Sequence, residues 1–268
     1  MTVCSEAGPT RRTVATLAFS MLATLLVARA ARADEPATAA DGSDEPGLAS
    51  GASLLGGGYS TFLHGPLAGR RATVFVDGGR DSAAPEWRAG VQGWIPVYGR
   101  FSLVAGAAYR GATDAWRPSV GVAVALVRAT PTGTSVDLLA QFKTEGFTEP
   151  EGEIELTVRA SHRFHRASLT FEGSYGQDPE AAERDAELAA DASLAAGRFS
   201  FGLGARARRD LGGTKVEAIR WDLQAGPHLG FVITRGNFVG VATGVSALDL
   251  DGQVMSGVFG VASYALAY

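Results

Sequence analysis

The chain has 268 residues, 24 basic and 28 acidic side chains, a net charge of −4 and one cysteine. Without basic excess it is no nucleic-acid binder, since phosphate recognition needs a positive surface. Cys4 stands before the first apolar run, which leaves the rest of the chain without disulfides, thiolate catalysis or cysteine metal sites.

Arg11 and Arg12 precede a run from Val14 to Val27 that is apolar apart from Thr16, Ser20 and Thr24, followed by Ala31-Arg32-Ala33. This is the layout of a secretory signal peptide, residues 1–33, cleaved before Asp34. The run is about fourteen residues, short of the roughly twenty that a spanning helix needs, and no later stretch is continuously apolar enough to span as a helix. Arg11-Arg12 also allows a twin-arginine reading, which the flanking residues fit poorly. Cleavage would remove four arginines and Glu6, leaving 20 basic against 27 acidic groups and a net charge of −7. Residues 34–66 are dominated by Ala, Gly, Ser, Asp, Glu and Pro and read as a flexible periplasmic leader, with 67–268 as the folded domain.

From about Ala72 the connections alternate between two kinds. Short ones lie at Val97–Arg100, Thr130–Gly133, Phe164–Arg166, Ala196–Arg198 and Arg235–Asn237, with hairpin chemistry. Longer, more acidic ones lie at Asp77–Glu86, Gly111–Ala115, Thr144–Gly152, Gly176–Asp185, Arg209–Thr214 and Leu248–Gly252. Five short and six long connections join twelve strands; fourteen is the alternative count.

Within the strands, apolar and polar residues alternate with period two, which places them on opposite faces. Phe101, Leu103, Ala105, Ala107 and Tyr109 oppose Ser102, Gly106 and Arg110; Val136, Leu138, Ala140 and Phe142 oppose Asp137, Gln141 and Lys143. The sharpest case sets Ile154, Leu156, Val158, Ala160 and Phe164 against Glu153, Glu155, Thr157, Arg159, Ser161 and Arg163. Glu217–Ile233 forms the longest candidate; Pro227 interrupts it, as a bulge or as a junction of two strands, and unbroken parity favours one bent strand. Trp87, Tyr109, Trp116 and Trp221 stand toward the long-loop end of their strands, and Phe101, Phe164, Phe199, Phe231 and Tyr268 toward the short-turn end.

The last stretch puts Val254, Val258, Ala262, Tyr264, Leu266 and Tyr268 on one parity and stops on an aromatic residue. It resembles the closing strand of bacterial outer-membrane β-barrels, a generic porin-like class, with Tyr268 where that class most often has Phe. The resemblance implies an all-β, transmembrane, antiparallel up-and-down barrel in the outer membrane of a Gram-negative bacterium. It also implies short turns in the periplasm, long loops outside, outer-membrane lipid around the barrel and insertion by the barrel-assembly machinery. A soluble lipocalin-like barrel would turn the same pattern inside out, with the apolar side chains lining a pocket.

On the membrane assignment the lumen carries Arg88, Arg110, Arg117, Lys143, Arg159, Arg163, Arg206, Arg208 and Arg220 against Glu153, Glu155, Glu172, Glu187, Asp191 and Asp222, with Asp137 also inward. The acids concentrate on the sixth to eighth strands, the arginines on the second to fourth and ninth to tenth, so an acidic wall is expected to face basic walls. Such a lumen suits a pore for small polar solutes. The alternatives are a non-conducting structural or adhesion barrel acting through its acidic loops, and a lipid-modifying enzyme. For the last, His162 and His165 lie near a turn and His228 inward beside Arg220 and Asp222, but no Ser-His-acid order stands out, so no enzyme is expected. Asp249-Leu250-Asp251-Gly252 lacks the length and closing Glu of a calcium loop, and no cofactor or metal is expected.

Overall fold

The computed structural model describes residues 72–83, 86–110, 115–127, 133–144, 152–179, 184–212, 219–234, 237–250 and 252–267. The signal and leader expectations for 1–66, the role of Tyr268 and most long-loop tips lie outside the described residues.

Twelve strands run in chain order: β1 (Thr73–Asp81), β2 (Glu86–Tyr98), β3 (Phe101–Arg110), β4 (Ala115–Val127), β5 (Gly133–Thr144), β6 (Gly152–Phe164), β7 (Ala167–Gln177), β8 (Arg184–Ala196), β9 (Phe199–Asp210), β10 (Ile219–Thr234), β11 (Asn237–Leu250) and β12 (Gln253–Ala267). Each pairs antiparallel with its sequence neighbours, and β1 closes on β12 from Thr73 opposite Ala267 to Asp81 opposite Phe259. Closure leaves no edge strand, the condition for crossing a bilayer with sheet. This is the expected twelve-stranded up-and-down barrel.

Three short turns share one construction. Gly99-Arg100, His165-Arg166 and Gly197-Arg198 each place a positive φ at the first residue, 53°, 49° and 62°. The arginine carbonyl then accepts from the next strand over: Arg100 from the Ala125 amide at 3.0 Å, Arg166 from Ala195 at 2.7 Å and Arg198 from Val232 at 2.8 Å. These turns set the register of three hairpins, so every side chain in them has a determined face.

The loop boundaries differ from the sequence reading in two places that matter. β1 continues to Asp81, so Asp77 belongs to a strand and not to a loop; Asp185 likewise lies inside β8. Both are inward acids, and in a closed barrel a polar inner residue continues a strand as readily as it ends one. Pro227 neither breaks nor bulges β10: pairing with β9 runs through it, opposite Leu203, and the register with β11 is the same at Ala225–Val245 as at His228–Ala242. The irregularities sit at the ends of β10 instead, between Ile219 and Trp221 and between Val232 and Thr234.

Beside Pro227 the backbones of β10 and β11 come unusually close. A Cβ on Gly226 would stand 1.9 Å from the Thr243 carbonyl oxygen and 2.6 Å from the Gly244 Cα, both backbone atoms that cannot swing aside. Gly226→Ala is therefore expected to lower stability by about 1–3 kcal/mol, read as the urea midpoint of the refolded barrel. An unchanged midpoint would show that the two strands separate freely there.

Burial decides which face is which. Leu188, Leu203, Val245 and Val258 stand about two-thirds exposed on the outside, while Arg159 and Arg206 on the opposite parity are almost wholly buried. An exterior ring of exposed aliphatics around a charged interior is the inverse of a soluble barrel and suits hydrocarbon. Aromatics bracket it: Tyr109 and Trp116 meet with ring centroids 5.5 Å apart toward the loop end, Phe199 and Phe231 at 4.9 Å toward the turn end.

Candidate functional site

The lumen wall has two flanks of different chemistry. On β5 to β10 the inward residues form a chain of ion pairs. Lys143 pairs with Glu155, which also accepts from Gln141 Nε2 at 2.6 Å. Arg159 Nε donates to Glu172 Oε2 at 3.1 Å, directly across the β6–β7 pairing. Arg206 forks, with one terminal nitrogen 2.8 Å from Glu187 Oε2 on β8 and the other 2.8 Å from Asp222 Oδ2 on β10. Arg208 Nε reaches Asp185 Oδ2 at 2.5 Å, and His228 Nε2 lies 2.7 Å from Asp191 Oδ2. Gly202 lets the His228 ring lie against β9, since a Cβ there would stand 2.5 Å from Nε2.

The acids and arginines stand on the strands expected of them, but those of β8 to β10 meet side by side and not across the lumen. On β5 to β10 the carboxylates meet their partners sideways, between neighbouring strands or, for Asp191 and His228, across β9 at Gly202. The reason is distance: adjacent strands lie about 4.8 Å apart, so paired or diagonal side chains reach hydrogen-bond contact before any field across the lumen matters. Interleaved signs on adjacent staves neutralise locally.

The other flank is apolar. Phe238, Ala265, Phe75, Trp94, Val104, Ala123 and Leu139 pack as one buried cluster over β11, β12 and β1 to β5. Phe75 is paired opposite Ala265, Trp94 opposite Val104 and Ala123 opposite Leu139, so the arc follows the wall from strand to strand. The sequence reading missed it. The available signal was weak alternation: in Leu103-Val104 and Leu138-Leu139 both parities are apolar, which a lipid-facing assignment alone does not require.

A second missed feature ties the loop end together. Asp81, buried at the end of β1, accepts from the Ala83 amide at 2.9 Å, Ser246 Oγ at 2.6 Å and Gln224 Nε2 at 2.7 Å. One carboxylate thus links β1 to β11 and β10, reaching over β12.

The remaining expected site residues are distributed as follows. Arg117 and Arg163 lie half-buried on inward positions of β4 and β6, and Arg220 is exposed at the loop end of β10. Arg88 and Arg110 are paired opposite each other in β2 and β3; their side chains lie outside the described ones. The Glu153 carboxylate lies over Gly176, where an added Cβ would fall 1.5 Å from Oε1 and 2.6 Å from Asp185 Oδ1. His162 faces outward near a turn, with Nδ1 2.8 Å from Thr134 Oγ1 and its ring 4.1 Å from that of Phe164, as an interfacial anchor. Among the described residues no group of three or more His, Cys, Asp and Glu side chains is arranged to hold a metal ion.

Neither a family model nor a curated protein sequence matches the chain. Solved structures do. The NanC porin superposes with a TM-score of 0.54 at 10% identity, over 72% of this chain and 98% of that one. The KdgM porin superposes at 0.52 and 7% identity over 73% and 99%, and KdgM in complex with disordered oligogalacturonate at 0.52 and 8% over the same shares. The chain has the fold of an outer-membrane β-barrel. At such identity the likeness is one of architecture, and any function of this barrel has to be argued from its own residues.

Proposed function

We propose that the chain is an outer-membrane pore for small polar solutes, inserted by the barrel-assembly machinery and surrounded by outer-membrane lipid. The observation that carries this is the set of inward ion pairs on six consecutive strands, Lys143 with Glu155, Arg159 with Glu172, and Arg206 with Glu187 and Asp222. Ion pairs cost desolvation in a dry interior and contribute little that apolar packing would not. A lumen that conducts water and ions is an environment in which a polar wall is useful. The neighbours' printed description as porins agrees with this reading.

A non-conducting barrel is the second reading, and full burial of Asp137, Thr157, Leu139 and Ala123 on inward positions favours it. Single-channel recording in a planar bilayer separates the two. A pore gives stable steps, and Arg208→Glu, which reverses a part-exposed lumen charge, shifts the reversal potential across a salt gradient toward cation selectivity. Stable insertion without steps sinks the pore reading.

A further inference from the structure

Beside the apolar arc, on β2, β4 and β5, lies a patch of the wall that is polar, uncharged and unsatisfied. Gln92 on β2 is 5% exposed, and neither its Nε2 nor its Oε1 has a hydrogen-bonding group of the protein within reach. The same holds for the Oγ of Ser119 on β4, 7% exposed, and for Nε1 of Trp94, the next inward residue on β2, 5% exposed. Gln141 on β5, 3% exposed, spends its Nε2 on Glu155 and leaves Oε1 unmatched. Buried polar atoms are ordinarily hydrogen-bonded, so a cluster of five that are not calls for a further donor and acceptor from outside the protein.

The register gathers them. Gln92 is paired opposite Gly106, Gly106 opposite Ser119, and Gly121, the next inward residue on β4, opposite Gln141. Gly106 stands at the centre of the set: a Cβ there would lie 2.8 Å from the Val91 carbonyl oxygen, 3.2 Å from Ser119 Oγ and 3.4 Å from Gln92 Cγ, so the absence of a side chain lets Gln92 and Ser119 come together over this position. Below it the Trp94 ring joins Phe75 and Val104 in the apolar arc and gives an aromatic surface beside the polar atoms.

We propose that Gln92, Trp94, Ser119 and Gln141 form a subsite on the lumen wall for an uncharged, hydroxyl-rich solute. Trp94 Nε1 and Gln92 Nε2 donate, Gln92 Oε1 and Gln141 Oε1 accept, and Ser119 Oγ does either, which matches hydroxyl groups that each donate and accept. No formal charge belongs to the set; of the cations beside it, Lys143, opposite Ser119, is held by Glu155, and Arg117, the preceding inward residue on β4, is engaged within the protein. A charged solute would lose hydration here without gaining a counter-charge. Hydroxyl-rich carbon chains also present an apolar C–H face, for which the Trp94 ring is a platform. The proposal deepens the pore reading by naming a solute class, and it rests on solutes reaching the lumen.

The test uses the full-length chain expressed in a Gram-negative host and purified in detergent, titrated calorimetrically with sorbitol, gluconate and glucamine, which differ in charge on one carbon skeleton. Sorbitol is expected to bind, its two charged relatives at least tenfold more weakly. Gln92→Leu and Ser119→Ala are each expected to weaken sorbitol about five- to tenfold, the loss of one or two hydrogen bonds. Ser119→Ala removes a single oxygen and keeps the test available if Gln92→Leu does not fold. Absent sorbitol binding, binding unaffected by Ser119→Ala, or charged relatives binding as tightly as sorbitol would each overturn the proposal. Single-channel recording on the same preparation separates it from the pore reading. Conductance steps without sorbitol binding sink the subsite alone; sorbitol binding to a silent barrel sinks the pore alone.

Discussion

Arg206→Met is expected to cost the barrel about 3–5 kcal/mol of stability, the usual price of removing one member of a buried charge cluster. The arginine is only 1% exposed in its side chain and holds two carboxylates, Glu187 and Asp222, each at 2.8 Å. Methionine fills the volume but removes the guanidinium that bridges the two acids. Lysine is no substitute, because one ammonium lacks the planar fork that reaches two strands at once. Adding Glu187→Gln and Asp222→Asn to Arg206→Met should recover much of the loss, since unpaired charge and not missing volume is the cause. Urea unfolding in lipid vesicles, followed by tryptophan fluorescence, reads Arg206→Met and the triple variant against the unsubstituted barrel. A loss below about 1 kcal/mol, the range of solvent-exposed pairs, would mean that water already solvates this part of the wall and that the lumen is wider than its packing indicates.

Val158→Arg is expected to cost about 2–4 kcal/mol, the penalty for a guanidinium on the lipid face near mid-depth. Val158 stands at the middle of β6, on the outward parity, between Leu138 of β5 and Gly173 of β7 in the pairing. Tyr98→Arg, at the turn end and 82% exposed, should cost no more than about 1 kcal/mol because the side chain reaches the interface. The gradient between the two positions is the signature of a bilayer. If Val158→Arg were tolerated as well as Tyr98→Arg, the outward aliphatics would be facing water and the membrane assignment would fall.

Most of the architecture was legible because its determinants are local. Alternation within Glu153–Phe164 separates the two faces of β6 in a single stretch, and Gly99-Arg100 or Gly197-Arg198 marks a turn without reference to any other strand. Parity carried across Pro227 was enough to keep β10 whole, although the sequence could not show that the tight approach at that point belongs to Gly226 and Gly244. The lumen was legible only as a list of inward residues. Which of them meet was not legible, because strand order along the chain says which sign sits on which stave, not how far a side chain leans toward its neighbour.

By itself the sequence determined the strands, the division of each into two faces and the sign of each charge, since period-two alternation and turn chemistry act over a few residues, while burial in the closed barrel decided which face is outside. Only the tertiary structure decided who meets whom inside. Asp81 finds Gln224 and Ser246 at separations of 143 and 165 residues, and the apolar arc joins Phe238 to Leu139 through the β1–β12 seam. Both depend on closing the first strand against the last, and the register of that closure belongs to the whole sheet and to no segment of it.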